Sequence, residues 1–265
     1  MLELGSPSTG ELLPWSEEVI DAWRDSFLGE CSPSLAHRLL DNARLVDVDA
    51  GEIFYRGSHH EETTAVALVV TGLLRYYVKH PDGRQVTVRY ASPGAIVGTA
   101  AVVMAGPGTP DRHGAVTQWQ LLGGRQTDGE ALRASKLLCL CPIRFESLAR
   151  REPELSWRLS RHLAEQLQQS QLMLAADLFL PVRSRVASHL LNLAESDARS
   201  YIVRSSHQAI AAAIGSVREV VSRTVKQMER DGLVERVGGP VTGHLRLIDT
   251  AALHEIARGD VYPNF

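Results

Sequence analysis

The spacing of hydrophobic residues changes character several times along the chain. Near the start, Val19, Ile20, Trp23 and Phe27 recur at the three- and four-residue intervals of a single helix face, with Ser16 placed to cap it. Leu35, Leu39 and Leu40 repeat the pattern, so residues 1–44 read as a polar lead-in followed by short helices. From Leu45 onward the segments shorten and become β-branched or aromatic: Leu45–Val48, Glu52–Tyr55, Ala65–Val70, Gly72–Val78 and Gln85–Tyr90. Asp49–Gly51, Thr71-Gly72, His80–Gly83 and Ser92–Gly94 punctuate them, and Pro81-Asp82-Gly83 between two alternating runs predicts a hairpin, because glycine tolerates the positive φ of such turns. Many short, regularly spaced strands predict an antiparallel barrel or jelly roll over residues 45–151. Within it, residues 105–129 are rich in Gly, Pro, Asp and Gln and read as a long loop or insert, and Lys136–Cys141 reads as a last strand before Pro142.

The helical period returns at Glu152 and persists to Leu180, with Leu155, Leu159, Leu163, Leu167, Leu174 and Leu178 in one stripe. A helix of about 40 Å with a narrow leucine stripe is better explained by pairing with a second copy of itself than by burial in one small domain, the alternative being packing against its own barrel. Pro181 stops that helix and can open the next, whose inward face carries Val186, Leu190, Leu191 and Leu193. Residues 152–180 are thus expected to form a dimerisation helix, with Leu180-Pro181 as the hinge to a last domain over residues 181–265.

Composition narrows the picture. Hydrophobic content of 44% and charged content of 22% are globular values. No apolar run approaches the roughly 18 residues that span a bilayer, and Met1–Pro14 lacks the basic and apolar pattern of a secretory signal. Three cysteines form no even disulfide framework, and a cytoplasmic protein without membrane association is expected. Net charge is -3, so any contact with nucleic acid must come from a local concentration of Arg and Lys.

Such a concentration lies between Ser205 and Leu233. Ser206 is placed to cap a short helix that buries Ile210, Ala213 and Ile214, and the small Ala211–Ala213 lets a second helix approach closely. Gly215 permits the tight turn, and Ser216 is placed to cap a second helix with Val220, Val221, Val225 and Met228 inward. Arg218, Glu219, Ser222, Arg223 and Lys226 are left on the outside near its N-terminal end. A recognition helix presents its first turns to base edges, where Arg pairs with guanine, Glu accepts from cytosine and Ser serves either base, while Lys226 and Arg230 suit phosphates. Val234–Arg236 and His244–Ile248 around Gly238-Gly239-Pro240 read as the two strands of a wing.

From Leu45 to Ile256 the chain resembles the CRP/FNR family of regulators, the cyclic-AMP receptor protein and its relatives. The specific stretch is His207–Gly215 followed by Arg218-Glu219-Val220-Val221-Ser222-Arg223, whose Glu-x-x-Ser-Arg spacing is similar to the FNR-type recognition helix. The resemblance implies an α+β chain: an N-terminal cyclic-nucleotide-binding-like jelly-roll barrel, a long dimerisation helix and a C-terminal winged helix-turn-helix. It implies a homodimer that is not an enzyme, binds a palindromic operator with TTGAT-like half-sites and works with RNA polymerase. The residues expected at DNA are Ser206, His207, Ser216, Arg218, Glu219, Ser222, Arg223 and Lys226.

The resemblance also implies a small-molecule effector between barrel and long helix, at Gly98, Thr99, Ser170 and Gln171. In the family's cyclic-nucleotide binders a Gly-Glu pair meets the ribose and an Arg-Ser or Arg-Thr pair meets the phosphate. Here Thr99 stands in place of the Glu, and Arg125-Gln126-Thr127 is only a loose echo of the second pair, so the cofactor or effector stays unassigned. Haem or a metal is an alternative, with His113 in the insert and Cys139 and Cys141 on one strand face, although two strand cysteines also suit a core. A metal-enzyme reading on His59, His60 and Glu61 has the wrong spacing for a cupin, and no phosphate loop, His-Glu-x-x-His or Gly-x-Ser-x-Gly occurs.

Overall fold

Side chains alternate across a β-strand, so a strand buried along its whole length must be covered on both faces. Val66–Thr71 is such a strand in the computed structural model, which describes residues 15–55, 66–79, 85–104, 127–197, 200–238 and 244–259. The Pro81-Asp82-Gly83 turn, His59, His60, Glu61, His113, Arg125, Gln126 and Gly239-Pro240 lie outside those residues.

The chain divides into two compact units, residues 1–76 with 89–168 and residues 77–88 with 169–265. In the first, helices α1 (Glu17–Asp25) and α2 (Pro33–Leu40) precede strands β1 (Arg44–Val48), β2 (Ile53–Tyr55) and β3 (Val66–Thr71). There follow β4 (Leu74–Lys79), β5 (Gln85–Ala91), β6 (Ile96–Val97), α3 (Thr99–Met104), β7 (Asp128–Ala131) and β8 (Ser135–Leu140). These strands form two four-stranded sheets, ordered β1-β8-β3-β6 and β2-β7-β4-β5. The pairs β1–β8, β3–β8, β3–β6 and β2–β7 are antiparallel, with Leu68 opposite Leu138 and Ala67 opposite Cys139.

Ala67 and Val69 of β3 face a core shared with Val48, Leu74, Ala91, Val97, Ala131 and Leu137, contributed by both sheets. Val66, Leu68 and Val70 face the other way, onto Val19, Trp23, Leu28, Leu35 and Leu39 of the N-terminal segment. The short helices of residues 1–44 therefore share a core with the barrel. Phe145 and Leu148 join it from α4 (Pro142–Arg151), a helix absent from the sequence-based expectation. Pro142, read there only as the end of a strand, sits at the start of this helix, where proline's missing N–H costs nothing.

Helix α5 (Pro153–Phe179) matches the expected long helix to within a residue at each end. Its leucine stripe divides. Leu155 and Leu159 are buried in the first core and Leu163 packs against it, whereas Leu167, Leu174 and Leu178 are 61%, 61% and 69% exposed. Leu172, Phe179 and Trp157 are exposed as well, away from that stripe.

In the second unit α6 (Val182–Leu193) opens after Pro181, which stands in the N-cap position with an extended backbone. Strands β9 (Glu195–Asp197) and β10 (Ser200–Val203), helices α7 (His207–Ala213) and α8 (Arg218–Arg230), strands β11 (Val234–Val237) and β12 (His244–Leu247), and α9 (Thr250–Arg258) complete it. The sheet order is β11-β12-β10-β9. Val186, Leu190, Ile210, Val221, Val225, Met228, Leu245 and Leu253 make its core. Among the described residues no helix is long and apolar enough to cross a membrane.

Candidate nucleic-acid interface

Two helices that cross steeply need a connection that ends the first abruptly. The Ser206 Oγ caps α7 by accepting from the Ala209 N–H at 3.0 Å, and Ile210, Ala211 and Ala213 are buried beneath. At the other end Gly215 takes φ +62°, the left-handed conformation that side chains disfavour. Its N–H bonds the Ala212 carbonyl at 3.5 Å, and the Ser216 N–H bonds the Ala211 carbonyl at 2.9 Å. This pair of bonds closes the helix in the Schellman manner. The next carbonyl, Ile214 O, accepts from the Arg185 Nη1 of α6 at 2.9 Å, so the turn is held from below by a guanidinium.

Ser216 is therefore engaged through its backbone in ending α7. It does not cap α8, as the sequence reading had it: Val217 holds the N-cap position, and no side chain bonds the first turn. The register of α8 is otherwise as expected, with Val221, Val225 and Met228 buried. Arg218, Glu219, Arg223 and Lys226 are exposed and Ser222 is half-buried, so the five share the outer side of the helix.

Charge pairing sets this face apart. Several other arginines of the unit are matched: Arg183 with Asp231 at 2.7 Å, Arg204 with Glu195 at 2.8 Å, Arg246 with Glu235 at 2.8 Å and Arg258 with Glu255 at 2.9 Å, whereas Arg230, at the far end of α8, meets only Gln227 among the described residues. Arg183 and Gln227 together hold the Asp231 carboxyl below its ordinary range. No ion pair forms at Arg218, Glu219, Arg223 or Lys226 among the described residues. The wing strands run antiparallel, Val234 opposite Leu247, and Arg236 of β11 reaches Glu229 of α8 at 3.2 Å, tying wing to helix. His207, the first residue of α7, is half-buried near this link; burial first, then the charges of Arg236, Arg218 and Lys226, hold its imidazole below the ordinary value against the opposing pull of Glu229.

The effector candidates are divided between the two units. Gly98 has φ +82° and Thr99, almost fully buried, opens α3 in the first unit. Ser170 and Gln171 are exposed on the part of α5 that belongs to the second. Sequence reasoning overlooked a polar group inside the first unit. Arg89 donates to the Ile96 carbonyl at 3.4 Å, and burial depresses its guanidinium. Beside it, His162 of α5 stacks on Phe27 at 4.2 Å between ring centres and contacts Gln166. Burial, then Arg89, pushes that imidazole down to about 4. The alternation of β5 was the available signal, since Arg89 shares its strand face with the buried Thr87 and Ala91.

The cysteines are more dispersed than Cys-x-Cys on one strand implies. Cys139 lies on β8, half-buried against the inter-sheet core, but the strand ends at Leu140 and Cys141 becomes the N-cap residue of α4. Among the described residues no three His, Cys, Asp or Glu side chains gather as a metal site requires.

Comparison with known proteins agrees with this geometry. The Crp-like helix-turn-helix domain family matches residues 184–256. The transcriptional regulator LdrP of Thermus thermophilus is 30% identical over 77% of this chain and 92% of its own length. The cyclic AMP receptor protein of the same organism is 29% identical over 78% of this chain and 84% of its own. Among solved structures, a CRP-family transcriptional regulator from Thermus thermophilus has a TM-score of 0.60 at 26% identity, covering 83% of this chain and all of that one. A regulator of the crp/fnr family from Eubacterium rectale reaches a TM-score of 0.66 at 19% identity, over 86% and 96% of the two chains, a likeness of fold.

Proposed function

The chain belongs to the CRP/FNR family of transcription regulators, and from that premise we propose that it acts as an effector-controlled homodimer reading a palindromic operator through α8. The observation that carries this reading is the unpaired outer face of α8. Where Arg183, Arg204, Arg236, Arg246 and Arg258 of the same unit are matched by carboxylates, Arg218, Arg223 and Lys226 are left for an external anion, as is Arg230 further along α8, and Glu219 for an external donor. Arg218, Glu219, Ser222 and Arg223 are the proposed base readers, and Lys226, Ser206, His207 and Ser216 the contacts to the backbone. The bare apolar stripe of Leu167, Leu174 and Leu178 supports the second copy, which would present two recognition helices to two half-sites about one helical turn apart.

Gly98, Thr99, Ser170 and Gln171 are the residues proposed to meet the effector, and contact with RNA polymerase follows from the family role. One of the relatives is named for cyclic AMP; in this chain the buried Thr99 occupies the place of the ribose-binding carboxylate, which favours a different ligand. An effector can act only by binding the DNA-competent state better than its alternative. The reading is tested by selecting duplexes from a random library with the full chain. Enrichment of an inverted repeat with TTGAT-like half-sites is the expected result, and a library that shows no sequence enrichment overturns it.

A further inference from the structure

We infer that DNA binding by this chain takes up protons at His207, whose imidazolium bonds a backbone phosphate. The inference rests on the DNA-binding reading above and adds to it a dependence on pH.

His207 opens α7, and the Ser206 cap orders the chain there. In helix-turn-helix proteins the first helix crosses the DNA backbone while the second enters the groove, so a side chain at this position meets phosphate rather than base. Two elements bring charges toward it: Arg236 from the wing strand β11, and Glu229, Arg218 and Lys226 from α8, while His207 itself stands on α7. Arg236 and Glu229 satisfy each other at 3.2 Å. Arg218 and Lys226 have no carboxylate among the described residues, so two cations remain unbalanced around the ring. In the free protein this arrangement, added to partial burial, holds the imidazole below its ordinary value and so disfavours its charged form.

A phosphate changes the sign of that environment. An opposite charge within about 4–6 Å favours the ionised form, and the same phosphate is drawn to the cluster by Arg218 and Lys226. The complex therefore holds a proton that the free protein lacks. Linkage fixes the direction: the state binding more protons gains as pH falls, so affinity rises on acidification. It does so between the depressed value of the free imidazole and the raised value in the complex, by up to about tenfold per pH unit for each protomer. Above the upper value neither state is protonated and the dependence vanishes.

The test uses the full chain and an operator recovered by selection, with fluorescence anisotropy from pH 5.5 to 8.5 at constant ionic strength. The wild type should lose affinity as pH rises through the neutral range. His207→Gln should be flat and bind as weakly as the wild type does at high pH, and His207→Arg should be flat and tight. Titration calorimetry of the wild type in two buffers of different ionisation heat counts the protons directly and needs no variant to fold. Zero uptake, or a slope that survives in His207→Gln, overturns the inference. Absence of sequence-selective binding at every pH is a different result and sinks the DNA reading itself.

Discussion

Glu219 is an acid on a face that otherwise offers cations to a polyanion. Such a residue opposes nonspecific attraction and is useful only if it accepts from a base edge, cytosine N4 being the matching donor. Glu219→Ala should therefore reduce the ratio of operator to scrambled-duplex affinity by the roughly 1–3 kcal/mol of one base contact, with nonspecific affinity unchanged or higher. Equal losses on both duplexes would show that the carboxylate does not read sequence. His162 allows a second prediction at the same scale. Its imidazole is held at about 4 in the fold, by burial and then by Arg89, whereas an unfolded chain protonates it near 6.5. The unfolded state then binds the proton first, so the stability His162 contributes is complete above pH 6.5 and drains away as pH falls toward 4. Phenylalanine keeps the stack on Phe27 and cannot titrate. The difference in unfolding midpoint between wild type and His162→Phe should shift in favour of the variant across that window, and parallel curves would refute the assignment.

The leucine stripe of α5 had two competing explanations; packing on its own unit accounts for its first part, and pairing with a second copy is the proposal for the rest. Leu155 and Leu159 are consumed by the first unit's core, while Leu167, Leu174 and Leu178 are left bare. Burying a leucine contributes about 1.5–3 kcal/mol, so covering those three in each of two copies gives on the order of 10 kcal/mol, comparable to the 4–15 kcal/mol cost of association. The proposed dimer is thus sensitive to single changes. Leu174→Glu or Leu178→Glu should shift sedimentation from dimer to monomer and abolish tight operator binding, and a variant that remains dimeric would place the interface elsewhere. The spacing of α5 was legible because a three-to-four-residue repeat sustained through a 27-residue helix leaves no ambiguity. The parity of β3 was legible too, because a run of apolar residues with no alternation has to be covered twice. Several elements escaped, the short β6, α3 and β7 among them. Helix α4 follows a strand so closely that Pro142 looked like a terminator, β9 and β10 are short and polar at their start, and the hydrophobic face of α9 is thin, with Leu253 alone fully buried. The helix-turn-helix was readable in its outward residues but not in its corner. Ser216 suits an N-cap by residue type, and only the three-dimensional path shows its N–H committed to Ala211.

At the scale of the whole molecule, a chain of net charge -3 should be repelled by DNA if its charge acted as a single point. Screening, however, limits such interactions to about 8 Å at physiological ionic strength, and in the proposed complex DNA would meet the local surface of α8. Several acids of the second unit are spent in pairs, as at Asp231, Glu195, Glu235 and Glu255. Operator affinity should therefore rise as salt is lowered, in spite of the negative total, with the logarithm of the binding constant falling by about 0.9 per neutralised phosphate for each unit of log salt. Lys226→Gln removes one phosphate contact from each protomer, so the slope of the dimer should become shallower by about 2 while the selected motif stays the same. Arg258→Gln, which breaks only the exposed pair with Glu255 on α9, should leave the slope untouched. A Lys226 variant with an unchanged slope would move the phosphate contact off α8. A slope of the opposite sign would mean that total charge, rather than the unpaired face, governs the encounter.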